Sequence, residues 1–200
     1  MPFIGGHLTD DGSIFVGNPA NFVNTTEGGS SLKAILWERA ITAFGDTVFT
    51  CMDWFIGQKL LSEGYENVYN YRFNTPDPVQ LAANPWEGVM HTSELFFLFQ
   101  GTNSGPNHTA PTAVFAPFNS SEQVLATETI GYWTSFARAF DSNAFKPLAS
   151  SPLWLSASSH QRLVNQEGGP NSTKSRMKEQ EDIYIQRCLF WSEVGNETRV

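Results

Sequence analysis

Apolar residues recur along this chain with two periods, one of strands and one of helices. Pro2-Phe3-Ile4-Gly5-Gly6 is a short apolar run ending in glycines and reads as a buried strand, with a polar loop from His7 to Asp11 after it. Over 31–44, Leu32, Ile35, Leu36, Ala40 and Phe44 fall at helical spacing, with Ser30 or Ser31 as N-cap. Gly45 is expected to end that helix and Asp46 to cap a second one. Its apolar face is Val48, Phe49, Met52, Phe55, Ile56 and Leu60, and it ends near Gly64. Val68-Tyr69-Asn70-Tyr71-Arg72-Phe73 is β-rich and bounded by Asn74-Thr75-Pro76. Further on, the spacing predicts a helix over 93–100 and a surface loop over 101–121. A long helix from about Glu122 to Phe140 would bury Val124, Leu125, Ile130, Trp133, Phe136 and Ala137. Pro147 and Pro152 then break the chain. Leu153-Trp154-Leu155 and Arg162-Leu163-Val164 read as short edge strands, and 174–194 as a helix with Met177, Tyr184, Cys188 and Trp191 on one face.

No repeat or linker divides the chain. Four or five helices around about four short strands make a poorly covered sheet, because a parallel sheet needs both faces and its neighbours covered. The pattern therefore reads as the back half of a larger α/β fold.

One stretch carries candidate chemistry. Trp86-Glu87-Gly88-Val89-Met90-His91 places a histidine on a Gly-containing turn between the strand at 68–73 and the helix at 93. An open α/β sheet presents functional groups at the carboxyl ends of its strands in this way. A histidine there can serve as a general base near neutral pH. It can equally be an ordinary loop histidine, and the local pattern leaves both readings open.

Composition narrows the class. The chain has 200 residues, enough for one domain, with 40% apolar and 14% aromatic residues and no apolar run of membrane-spanning length. A formal charge of −8, scattered along the sequence, argues against nucleic acid or an anionic membrane as partner. No basic segment followed by an apolar run opens the chain, so no secretory signal is read there. Asn24, Asn107, Asn119, Asn171 and Asn196 each begin an Asn-x-Ser/Thr acceptor pattern for glycosylation. Chance would supply roughly two or three. The two cysteines, Cys51 and Cys188, could by themselves be buried thiols.

Several blocks, in order, resemble the type-B carboxylesterase/lipase family, which includes the cholinesterases and fungal lipases. Gly5-Gly6-His7-Leu8-Thr9-Asp10-Asp11-Gly12-Ser13-Ile14-Phe15 is similar to the segment holding the triad acid. The resemblance puts that acid on Asp11, with Asp where Glu is more common and Asp10 as the rival carboxylate. Gly88-Val89-Met90-His91-Thr92-Ser93-Glu94-Leu95 resembles the catalytic-histidine block, commonly with Gly where Thr92 stands, and Glu94 matches an acidic family position. Tyr132-Trp133-Thr134-Ser135-Phe136-Ala137-Arg138 with Asp141-Ser142-Asn143, and Arg187-Cys188-Leu189-Phe190-Trp191, are similar to two further family blocks. The resemblance implies an α/β-hydrolase fold, with residues 1–200 the carboxy-terminal part of a single domain, an incomplete sheet flanked by helices. It also implies a disulfide between Cys51 and Cys188, and with the acceptor patterns it implies a secreted protein.

The implied reaction is carboxylic ester hydrolysis through an acyl-enzyme, with Asp11 and His91 as acid and base and a small-molecule or lipid ester as substrate. The nucleophile is missing. No Gly-x-Ser-x-Gly occurs, Asn103 standing at the serine position of the look-alike Gly101-Thr102-Asn103-Ser104-Gly105, and the glycine-rich oxyanion segment is absent too. The alternative is a non-catalytic, cholinesterase-like interaction domain or a truncated inactive product. His7, His108 and His160 read as solvated. Trp86 and Glu87 are candidates for the pocket mouth. No metal or nucleotide motif is present, so no cofactor is expected.

Overall fold

The computed structural model describes residues 1–21, 30–100, 118–146 and 148–197. Four strands form one sheet in the order β1 (Phe3–Leu8), β2 (Val68–Phe73), β3 (Gln161–Asn165) and β4 (Arg176–Glu179). β1, β2 and β3 are parallel, and β4 returns antiparallel to β3. The register Phe3↔Val68 to Leu8↔Phe73 is unbroken, so β1 includes His7 and Leu8, where the local pattern predicts a loop.

After β1 come the short helix α1 (Ser13–Val16), then α2 (Ser30–Gly45), a π-turn over Asp46–Thr50 and α3 (Cys51–Ser62). These last three form one continuous helical rod, so Gly45 does not end a helix. Its role is packing. A Cβ on Gly12 would lie 2.1 Å from the Ile41 carbonyl oxygen, and one on Gly45 would lie 3.3 Å from the Gly12 nitrogen. Two glycines thus let the loop after β1 press backbone to backbone on the rod. Between β2 and β3 run α4 (Pro78–Ala83), α5 (Ser93–Leu98) and α6 (Ser120–Ala139). α6 begins with a capping box: Asn119 Oδ1 accepts from the Ser121 and Glu122 N–H groups, and Glu122 accepts from the Asn119 N–H. The last described element is α7 (Asp182–Glu197).

Two further expectations change. Leu153-Trp154-Leu155 is not a strand, because Asn143 takes over its backbone bonds. Asn143 Oδ1 accepts from the Trp154 N–H at 2.8 Å, and its Nδ2 donates to the Trp154 carbonyl at 2.9 Å. The helix expected over 174–194 starts only at Asp182. Arg176–Glu179 pairs with β3, where Met177 opposite Leu163 joins the core, and tertiary pairing overrides a weak helical pattern.

The sheet has two unlike faces. Tyr69, Tyr71 and Phe73 point to one side, under α5 and α6, with Leu8, Phe96, Phe97, Leu125, Tyr132, Trp154 and Leu163. His7, Asn70, Arg72 and Arg162 alternate with them and face the other side. There α3 and α7 are joined by the Cys51–Cys188 disulfide, against which Tyr184, Trp54 and Trp191 pack.

The bridge closes a loop across a separation of 137 residues, so most of the chain is constrained in the unfolded state. We expect reduction, or Cys51→Ala with Cys188→Ala, to lower the unfolding free energy by about 4–5 kcal/mol, read from urea unfolding with and without reductant.

Candidate functional site

The carboxyl ends of β1 and β2 lie side by side, and the loops leaving them meet. Asp10 makes the join: its N–H donates to the Val89 carbonyl at 3.1 Å, and its Oδ2 accepts from the Val89 N–H at 2.8 Å. Gly88 has φ +59°, and a Cβ there would lie 2.2 Å from Asp10 Oδ2, so the turn requires glycine. Ser13 Oγ donates to the Glu87 carbonyl at 2.6 Å and fixes the same turn from the other side. Glu87 accepts from Gln80 Nε2, which braces it against α4.

With Asp10 so engaged, Asp11 is the carboxylate facing His91. Its Oδ2 accepts from the Leu8 N–H at 2.7 Å, which aims Oδ1 at His91 Nδ1, 2.9 Å away. The shorter Asp reaches the ring because the Leu8 bond draws it back over the end of β1. A carboxylate only accepts, so Nδ1 holds the proton and, in the neutral ring, Nε2 is the remaining acceptor. The Asp11 side chain is 2% exposed and that of His91 31%, a buried acid behind an accessible ring. Phe49 stacks on the imidazole at 4.2 Å between centroids, Phe15 lies at 5.6 Å, and Phe44 packs on both phenylalanines. The ring is thus clamped between its acid and an aromatic wall.

Two more buried carboxyls feel the charge of Asp11. Asp53 on α3 and Glu94 on α5 each have a buried oxygen with no hydrogen-bond partner among the described residues. Burial, then the charge of Asp11, pushes Asp53 up to about 8, while burial lifts Glu94 to about 7. Asp11 is also raised by burial, but the Leu8 N–H and the bond and charge of His91 oppose the rise. At neutral pH Asp53 therefore mostly holds its proton, while at Asp11 a backbone donor and the histidine act against the rise.

His7 is not solvated. It is 6% exposed, accepts at Nε2 from Arg162 Nη1 at 3.3 Å, and has Asp53 Oδ2 3.8 Å from Nδ1. Burial and the charges of Arg162, Arg72 and Arg187 press its pKa well below the ordinary value. His160 is exposed in a turn with φ +56°, and His108 lies outside the described residues. Of the acceptor asparagines, Asn119 and Asn171 are exposed. Asn24, Asn107 and the Asn196 side chain lie outside the described residues. The sequence gives no sign that Asp53 and Phe49 belong to the site. Each looks like one more polar or apolar position on a helix, and only the fold brings it there. Among the described residues no three His, Cys, Asp or Glu side chains are placed to hold a metal, and no helix is long and apolar enough to cross a membrane.

The serine hydroxyls flanking the site are already used: Ser13 on the Glu87 carbonyl and Ser93 on the Met90 carbonyl at 2.7 Å. Neither is offered to His91.

A sequence model described as the carboxylesterase family matches residues 18–185. No curated protein matches the chain. Among solved structures the chain is similar to EstA of Aspergillus niger, at 22% identity and TM-score 0.72, over 100% of this chain and 41% of that one. It is also similar to an esterase of Clostridium hathewayi described as hydrolysing aliphatic aromatic polyesters (16%, TM-score 0.55, 96% and 37%). A third likeness is to the carboxylesterase Est55 of Geobacillus stearothermophilus (20%, TM-score 0.55, 95% and 40%). The chain spans less than half the length of each. These likenesses show an α/β-hydrolase fold, here as an incomplete sheet.

Two variants test the local physics. Unfolded, Asp53 releases its proton near the ordinary carboxyl value of 3.8; folded, it holds it to about 8. The folded state binds more protons between those values, so stability is full below the lower one and falls as pH rises through the upper. Asp53→Asn should remove that loss, gaining on the order of a few kcal/mol over the wild type at pH 8 and little at pH 4, by urea unfolding at both. Thr92 precedes α5 with φ +74°, a left-handed conformation costly for a β-branched residue. Thr92→Gly should therefore raise stability by about 1 kcal/mol in the same assay.

Proposed function

The chain belongs to the carboxylesterase family, and from that premise we propose that it is the carboxy-terminal part of a single serine-esterase domain in which Asp11 and His91 are the triad acid and base. The observation that carries this is the 2.9 Å bond from His91 Nδ1 to a buried Asp11 carboxylate that a backbone N–H holds in place. A catalytic acid in such a triad fixes the tautomer so that Nε2 faces the reaction, and it stabilises the imidazolium that forms.

In the proposed reaction a serine hydroxyl from a Gly-x-Ser-x-Gly segment outside these 200 residues attacks the ester carbonyl and gives its proton to His91 Nε2. His91 then returns the proton to the departing alkoxide oxygen, leaving an acyl-serine. Water attacks the acyl-serine with the same nitrogen as base, and the carboxylic acid leaves as serine regains its proton. Phe15, Phe44 and Phe49 beside the ring favour esters with an apolar or aromatic acyl or alcohol group. The disulfide and the five acceptor asparagines support a secreted glycoprotein.

A second reading, a scaffold without chemistry, is favoured by one observation, the absence of the nucleophile motif from the sequence. Two experiments test the proposal, and the second separates the readings. The 200-residue chain alone should take up no serine-directed fluorophosphonate, by intact mass. Joined to its Gly-x-Ser-x-Gly segment, it should hydrolyse a p-nitrophenyl ester. Asp11→Asn or His91→Ala should then lower kcat by about 10³–10⁴ with the fold unchanged by circular dichroism. A joined protein with a serine elbow but no hydrolysis would support the scaffold reading.

A further inference from the structure

Resting on the triad reading above, we propose that Phe49 is a positioning residue for His91: its ring holds the plane of the imidazole and shields the Nδ1–H bond to Asp11 from water. A hydrogen bond of 2.9 Å fixes one atom of the His91 ring but leaves the ring free to tilt about it. Phe49 removes that freedom, lying over the imidazole face at 4.2 Å between centroids with 28° between the planes. Phe15 stands farther off, at 5.6 Å and 55°, so the flat support is that of Phe49.

The helical rod is built to put Phe49 there. In the π-turn over Asp46–Thr50 the Cys51 N–H donates to the Asp46 carbonyl, five residues back instead of four. Phe44 and Phe49 are also five apart. In a regular α-helix such residues diverge by about 140°. Here both rings pack on Phe15, at 5.0 and 5.5 Å between centroids. The extra residue of the wide turn thus brings Phe49 round to the histidine, and turns of this kind recur at functional sites.

α7 holds the π-turn at both ends. Arg187 reaches both carboxylate oxygens of Asp46, Nη2 to Oδ1 at 3.0 Å and Nε to Oδ2 at 2.8 Å. The Tyr184 hydroxyl donates to the Thr50 carbonyl at 3.1 Å, and Cys188 is bonded to Cys51. Tyr184, Arg187 and Cys188 fall within one turn on one face of α7, so a single helix face sets the phase of the whole π-turn. Phe49 itself is half-buried, anchored through this backbone and open to the site. Such firm placement matters for proton transfer, where a displacement of about 1 Å can cost on the order of a hundredfold in rate.

The test is proton NMR of the full chain in water, read at low field, where an imidazole N–H bonded to a carboxylate resonates when it exchanges slowly with solvent. The His91 signal is assigned by its loss in His91→Gln. It should be sharp in the wild type, with the carbon-bound ring protons of His91 shifted upfield by the Phe49 ring. Phe49→Ala should abolish it. Phe49→Leu, which keeps apolar bulk without a flat ring, should broaden it, and Phe49→Tyr should keep it sharp, all with the fold unchanged by circular dichroism. If Phe49→Ala fails to fold, Phe49→Leu decides. A signal as sharp in Phe49→Leu as in the wild type overturns the proposal and leaves the triad reading standing. A wild type with no such signal overturns the bond between Asp11 and His91, and the proposal with it.

Discussion

The parallel pairing of β1 with β2 is the constraint on which the rest depends. Parallel strands cannot be joined by a tight turn, so the chain must cross over before it returns, and the α2–α3 rod fills that crossover. In exchange, both strands end on the same side, and residues 80 positions apart in sequence, Asp11 and His91, leave the sheet together. The match is held at the end that matters. Thr9 bonds the Phe73 carbonyl through its N–H at 3.2 Å and Asn74 Oδ1 through its hydroxyl at 2.6 Å, and Asp10 locks onto Val89. A slip of one residue would shift the acid by about 3.3 Å and send every side chain of β1 to the opposite face. Either change would break the bond between Asp11 and His91.

The alternation that sets this register also divides the sheet chemically. One face is aromatic, with Tyr69, Tyr71 and Trp154 meeting edge to face, and it supplies apolar burial. The other carries His7, Arg72 and Arg162 toward α3 and α7, where packing alone cannot satisfy it. Here α3 contributes Asp53, α7 contributes Tyr184, and the disulfide fixes the spacing between the two helices. The charged face thus lies under two helices joined by a covalent bridge.

Much of this fold is legible in the sequence, and the parts that are not share a cause. The strand at 68–73, the histidine turn and the long helix after Asn119 follow from local periodicity and capping, which need no tertiary partner. The Asp11–His91 pair and the Cys51–Cys188 bridge emerge only from the order of several blocks, because neither pairing has a local signature. The misread positions are those where a distant group overrides local preference. Gly45 reads as a helix stop until Gly12 is found packed against it. Trp154 reads as a strand until Asn143 takes its backbone bonds, and Arg176–Glu179 reads as helix until β3 offers an edge. His7 reads as a loop residue because nothing nearby in sequence announces Arg162, 155 positions away.

Distant groups also set how the site is poised electrically. Asp53 and Glu94 each feel the charge of Asp11, and were all three ionised their mutual repulsion in a poorly hydrated interior would be severe. Burial instead lifts Asp53 to about 8 and Glu94 to about 7, while the rise of Asp11 is opposed by its backbone donor and its histidine partner. Selection among the acids is thus made by hydrogen bonds rather than by distance to the ring alone. Asp10, although adjacent in sequence, is withdrawn from the contest because its oxygen holds the Val89 N–H. Of two neighbouring aspartates, one builds the turn that presents the histidine and the other meets it there.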